Sequence, residues 1–285
     1  MTRLLPVLTI LIALLAAWYG GAVLLNAQWE RDQAERAGVE ITFAEIVPKT
    51  MAQDRPMLPA PHQVAAELWK TVVETSPTSK RSLVWHGWIT LSSTLLGFAF
   101  GTILGVALAV AITASRTTGL SVMPWIIASQ TIPILAIAPM MIVVLNAAGI
   151  SGIAAKAMIS MYLSFFPVAV GMVKGLRAAD AMQVDLMRTY SASTFQTYLK
   201  LRLPASVPYL FASMKVGVAA SLVGAIVAEM TLSQGGGIGA RLLNGSYYGQ
   251  TMMIWAALIA AAVMAGALVP AIGLVERLAL RGRRA

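Results

Sequence analysis

The chain has 285 residues, 58% of them hydrophobic and 12% charged, with a mean hydropathy of +0.75. Soluble domains carry about 25% charged residues, so this composition excludes an ordinary soluble enzyme and indicates an all-α integral membrane protein. The net charge of +9 is read as basic residues gathered on the cytoplasmic side of membrane helices, and the absence of cysteine excludes disulfides and thiolate metal sites.

Thr2-Arg3 precede an apolar run from Leu4 to Leu25. Signal-peptide cores are about 7–15 residues. This run is longer and near the ~20 residues that span a bilayer. It reads as an N-terminal transmembrane anchor over 1–27, with a cleaved signal as the alternative.

Residues 28–88 form a polar segment. Between Gln28 and Val84, eight acids stand against seven bases. Leu58-Pro59-Ala60-Pro61 reads as an extended link, and His62 to Val73 as a short amphipathic helix. His62 and His86 read as ordinary surface histidines, and no metal-ligand cluster is seen.

Residues 89–276 hold five further spans. Ile89–Ile112 carries Gly97, Gly101 and Gly105, a small-residue face that lets helices approach closely. Pro124–Leu145 contains Gln130, Thr131, Pro133 and Pro139. Two prolines kink a span and free carbonyls, which membrane proteins tolerate beside a cavity or inside a bundle. Ile153–Val173 carries Tyr162, Ser164 and Pro167, Val207–Ala228 carries Ser221 and ends at Glu229, and Thr251–Leu274 precedes a basic tail over 277–285. The polar groups read as available inside the spans are uncharged. Gln130, Thr131, Pro133, Ser221 and Glu229 are candidate residues of a substrate path, with plain helix-to-helix bonding as the alternative for Gln130 and Ser221. Gln234-Gly235-Gly236-Gly237-Ile238-Gly239 lacks a following Gly-Lys-Ser/Thr, so it reads as a flexible turn and no P-loop.

Between the third and fourth of these five spans lies a basic island, 178–206. Asp180, Asp185, Arg188, Lys200 and Arg202 interleave with Met182, Val184, Met187, Phe195, Tyr198 and Leu199 at spacings of three and four. That pattern predicts helix, break, helix on a membrane surface. Ser191 and Ser193 sit at the break, where an N-cap is expected at Ser191, and Pro204 and Pro208 close the second half.

The island resembles the loop of type I ABC-importer permeases: Glu-Ala-Ala, three residues, Gly, nine residues, Ile-x-Leu-Pro. Here the matching positions are Asp185-Leu186-Met187, Ser191 and Leu201-Arg202-Leu203-Pro204. Glu is replaced by Asp, both Ala by larger residues and Gly by Ser. Phe166-Pro167, Gly171, Gly175, Ala228-Glu229 and Gly237-Ile238-Gly239 agree with the resemblance, which covers roughly residues 91–269 and is strongest to the nitrate, sulfonate, taurine and vitamin-precursor branch.

The resemblance implies a five-helix permease core plus the anchor, six transmembrane helices in all, in a bacterial inner membrane. It implies an importer of a small polar solute, with no cofactor bound by this chain and ATP held by partner ATPase subunits. A second permease subunit, identical or paralogous, and a periplasmic substrate-binding protein complete the assembly. Asp180, Asp185, Arg188, Ser191, Ala192, Ser193, Leu203 and Pro204 would couple to the ATPase. Basic residues place both termini and the island in the cytoplasm, and 28–88 in the periplasm. A secondary carrier or channel without an ATPase and a membrane-embedded enzyme are the alternatives, and the spans offer no catalytic constellation for the latter.

Overall fold

A computed structural model describes residues 4–232 and 235–281. The expectations resting on Thr2-Arg3, Gln234 and residues 282–285 of the basic tail lie outside the described residues. The described chain is helical, and two compact units divide it. One contains the residues up to His86 together with Arg241–Ala260; the other contains Gly87–Ala240 and the residues from Ala261 onward.

In the first unit, α1 (Leu4–Arg36) continues eleven residues past the apolar run. Its polar end is rich in Gln, Glu, Arg and Ala, all good helix formers except in competition with a bilayer core, and Gln28 donates to Asp32 one turn on at 2.8 Å. The buried Asn26 then fixes the extended link. Its amide donates to the Leu58 carbonyl at 2.8 Å and its side-chain oxygen accepts from the Met57 amide at 2.7 Å. Trp18 donates to the Pro59 carbonyl at 3.0 Å and its ring lies 5.1 Å from that of Trp255.

A helix that the sequence reading lacked, α2 (Phe43–Met51), precedes the link. The amphipathic helix is present as α3 (Pro61–Trp69), which passes into a single wide turn at Lys70–Glu74. Pro61 opens it, where a missing amide hydrogen costs nothing, and Gln63 accepts from the Ala60 amide at 2.9 Å.

The second unit is built on α7 (Gly152–Leu176) and α10 (Leu203–Thr231), the two most deeply buried spans. Long helix α4 (Leu83–Ala114) lays its glycines on α7. A Cβ at Gly97 would stand 2.3 Å from that of Ser160, and one at Gly101 would stand 2.0 Å from the Ser164 hydroxyl. Gly224 makes the equivalent approach from α10, 2.8 Å from the Ser160 Cα. Small residues on three helices thus let the backbones meet where side-chain hydrophobicity supplies no drive, because lipid is equally apolar.

The expected span Pro124–Leu145 is two helices, α5 (Arg116–Ser129) and α6 (Ile134–Ala147), bent by 101° at their junction. Pro133 cannot donate a backbone hydrogen bond and caps α6. Fourteen residues rise about 21 Å, less than the ~30 Å hydrocarbon core, so neither half crosses a membrane alone. Both are nevertheless anchored. Ile126 packs with Ile112, Phe165 and Met172, while Ala138 and Ile142 pack with Ile159 and Val227. The last helix, α12 (Thr251–Leu280), closes the order after α11 (Ile238–Tyr247), a short helix that starts within the glycine-rich stretch.

Candidate functional site: an exposed helix–break–helix corner

The island is helix, break, helix. Asp180 caps α8 (Ala181–Thr189), its carboxylate accepting from the Met182 amide at 3.1 Å. Asp185 and Arg188 pair one turn apart at 3.1 Å, but both are exposed, so the pair adds little stability.

The break corrects one expectation. Ser191 is no N-cap. It has φ +52°, the left-handed region, alone among the described non-glycine residues. Its amide donates to the Arg188 carbonyl at 2.8 Å, and the Ala192 amide reaches back to the Met187 carbonyl at 3.0 Å. These are the two crossed bonds that end a helix on a left-handed residue, a place glycine usually fills. Ser191 therefore takes the conformation that the Gly of the resembling loop would take without a Cβ penalty.

The N-cap lies two residues later. Ser193 accepts from the Gln196 amide at 3.2 Å, and Gln196 accepts in return from the Ser193 amide at 2.9 Å, a reciprocal capping box. It starts α9 (Thr194–Thr197), which widens into a turn with i to i+5 bonding at Tyr198–Arg202 and then becomes α10. Pro204 explains the widening, since its ring would strike the Lys200 carbonyl in a regular α-turn. Leu203 and Pro204 thus form the joint between the corner and the α10 span.

The corner's chemistry faces outward. Met182, Tyr190 and Phe195 are 78, 78 and 74% exposed, and Leu186 and Leu199 are exposed beside them. Arg188, Ala192, Thr194, Tyr198 and Arg202, with Thr113 of α4, border a polar cleft of about 240 Å³. Large apolar side chains interleaved with cations on one exposed face are the composition of a protein-binding surface.

The substrate-path candidates fall in two settings, one at a helix junction and one inside α10. Gln130, Thr131 and Pro133 occupy the α5–α6 junction, with Gln130 half-buried and Thr131 and Pro133 exposed. Tyr162 of α7 donates to the Ser129 carbonyl beside them. Ser221 and Glu229 have no exposed surface. Ser221 donates to the Thr94 carbonyl at 2.8 Å, tying α10 to α4.

Glu229 is part of a buried clasp. Thr90 donates to its Oε2 at 2.8 Å, the Gly239 amide donates to the same oxygen at 3.0 Å, and the Ile238 amide donates to Thr90 at 2.9 Å. From α7, Lys156 donates to the Gly236 carbonyl at 2.7 Å. The described part of the glycine-rich stretch, 235–239, is therefore a turn fastened by two charged side chains, and the flexible-turn reading is corrected. A Cβ at Gly237, whose φ is +116°, would stand 2.1 Å from the Glu229 carboxyl carbon.

The expectation of uncharged spans also fails. Lys156 lies inside α7, and Lys215 inside α10 pairs with Glu276 at 2.5 Å. A lysine within each apolar run was the visible signal. Thr90 carried none, because its role depends on a residue 139 positions away.

The family model described as the binding-protein-dependent transport system inner membrane component matches residues 101–284. The chain belongs to that family. It is a multi-pass membrane permease, and the match begins inside α4 and takes in the corner, Lys156 and Glu229 of the clasp, and α12.

Relatives agree. The permease is 28% identical over 204 residues to a probable ABC transporter permease protein of Haemophilus influenzae, covering 71% of this chain and 78% of that one. It is 27% identical to the riboflavin transport system permease protein RibX of Chloroflexus aurantiacus, over 79% and 80% of the two chains. It is 26% identical to the putative aliphatic sulfonates transport permease protein SsuC of Bacillus subtilis, over 70% of each. Among solved structures, an amino acid ABC transporter with histidines superposes with a TM-score of 0.55 at 16% identity, over 70% of this chain and 92% of that one, a likeness of fold.

Proposed function

We propose that this permease forms half of the membrane pathway of an ATP-driven importer, and that the Asp180–Pro204 corner receives the force. Separate ATPase subunits dock on the corner, a second permease subunit completes the pathway, and an external binding protein delivers the solute. The observation carrying this reading is the outward display of Met182, Leu186, Tyr190, Phe195 and Leu199 on a corner that continues directly into α10. Closure of the ATPase pair upon ATP would push the corner as a rigid body and tilt α10 with its partner α7, changing which side of the pathway is open.

Orientation follows from charge. Arg116, Lys174, Arg177, Arg188, Lys200, Arg202, Arg277 and Arg281 fall at helix ends or loops assigned to the cytoplasm, and the balanced 28–84 segment falls outside. The clasp then lies at the external end. The α5–α6 junction, with Gln130, Thr131 and Pro133, forms the path wall. The solute is small and polar, of the class that the relatives' names indicate: nitrate, aliphatic sulfonates, riboflavin or formylaminopyrimidine.

The test is purification of the full-length tagged permease from its native membrane. A bound polypeptide that hydrolyses ATP is expected; a purified permease with no ATPase in any mild detergent would leave a carrier or channel as the better reading.

A further inference from the structure

We infer that the cleft along α5, bordered by the end of α4 and by Arg177 after α7, is a binding site for an anionic phospholipid of the surrounding bilayer. The cleft has a volume of about 750 Å³, in the range of small-molecule sites. Its wall is apolar, made by Ile112, Leu120, Met123, Pro124 and Ile127. Arg116 and Arg177 are its charged groups, and both are exposed. The Arg177 guanidinium comes within 3.8 Å of the space beside Gly119, so it points into the cleft. Arg116 opens α5, whose first-turn amides add positive potential. The site therefore offers two cations next to a hydrocarbon slot, which matches a headgroup phosphate with an acyl chain beneath it. Basic pockets between membrane helices hold anionic headgroups on this principle.

Charge supply argues against a second copy of this chain as the occupant. Asp185 is paired with Arg188, Glu276 with Lys215, and Asp180 caps α8. Eight of the other acids precede α4, and Glu229 is buried. A copy's remaining exposed side-chain carboxylates, Glu35, Glu40, Glu45, Asp54 and Glu74, all lie in the polar segment before α4, whereas the bilayer brings a phosphate and an acyl chain joined in one molecule. The inference needs only the chain's membrane location and is independent of its orientation.

The experiment uses the full chain in vesicles of phosphatidylcholine with spin-labelled phosphatidylglycerol or spin-labelled phosphatidylcholine as probe. The motionally restricted fraction should favour phosphatidylglycerol in the wild type. That preference should fall about fivefold for each arginine removed in R116Q and R177Q, and Leu120→Asn should weaken it through the apolar wall. Excess inorganic phosphate should leave it in place, because phosphate lacks the chain. An unchanged preference in R116Q/R177Q overturns the inference. So does its removal by free phosphate, which would make the site one for a soluble anion. Disulfide capture of a second copy through Leu120→Cys, with no lipid preference in the wild type, overturns it in favour of a protein interface.

Discussion

Thr90 donates its hydroxyl hydrogen to Glu229 across 2.8 Å, joining the start of α4 to the end of α10. The same hydroxyl accepts from Ile238. Three separated segments therefore meet on one threonine and one carboxylate, with Lys156 holding the turn from α7. Buried polar groups are costly in lipid; here Glu229 Oε2, Thr90 and Lys156 are paired, while Glu229 Oε1 is buried with no hydrogen-bond partner among the described residues.

The clasp makes a first prediction. Lys156→Met removes the bond to the Gly236 carbonyl and a nearby positive charge from the buried Glu229, and should cost roughly 1–3 kcal/mol, the range for losing a hydrogen bond to a charged or buried group. Lys156→Met with Glu229→Gln removes both charges and should recover much of that loss. Thermal unfolding in detergent, read as a double-mutant cycle, measures the recovery. Strictly additive losses would mean that the two charges act independently.

A second prediction concerns Gly237. Its neighbour Glu229 occupies the place of a Cβ, and its φ is +116°. Gly237→Ala should displace the turn and lower the yield of folded permease, while Gly266→Ala, with open space around it, should leave the yield unchanged. Fluorescence-detected size exclusion of the two variants reads this directly, and equal yields would show that the turn is loose.

Ser191 gives the third. A left-handed residue with a Cβ costs about 1–2 kcal/mol. The chain ends α1 with the same pair of crossed bonds and uses glycine there, Gly38 at φ +68°. Ser191→Gly should therefore stiffen or preserve the corner, and Ser191→Val should disrupt it. Protease sensitivity between α8 and α9 is the measurement: greater cleavage in Ser191→Gly than in Ser191→Val would contradict the geometry.

These three sites also mark where the sequence was legible. Apolar runs gave the spans because their length is set by the bilayer, and the α4 glycines announced close packing through their four-residue spacing. The corner's spacing identified its two short helices. Ser191 was misassigned because serine is a common N-cap and its backbone sign depends on bonds to Arg188 and Met187, which no local preference reports. The clasp was missed for a different reason. Lys156 and the glycine run look like exceptions when read singly, and only the folded chain brings them to Glu229. Helix α11 escaped because ten mixed residues after a glycine run carry no strong start signal.

A fourth prediction addresses coupling. Ala192 borders the polar cleft of the corner, where a charged side chain would meet an approaching surface. Ala192→Glu should leave the amount of folded permease unchanged and reduce solute uptake per ATP hydrolysed. Uptake and hydrolysis measured in the same vesicles give that ratio; a wild-type ratio would place the force-bearing contact elsewhere.

The central claim is that the exposed face of the corner carries the ATPase. The most direct measurement is ATP hydrolysis retained by the tagged permease after purification, compared between the wild type and Phe195→Asp. Phe195 is 74% exposed, so the substitution removes no core contact and should leave the spans folded. The account predicts that the wild type retains ATP hydrolysis and that Phe195→Asp loses most of it at equal permease yield. Equal hydrolysis in the two would contradict the assignment of the corner as the docking surface.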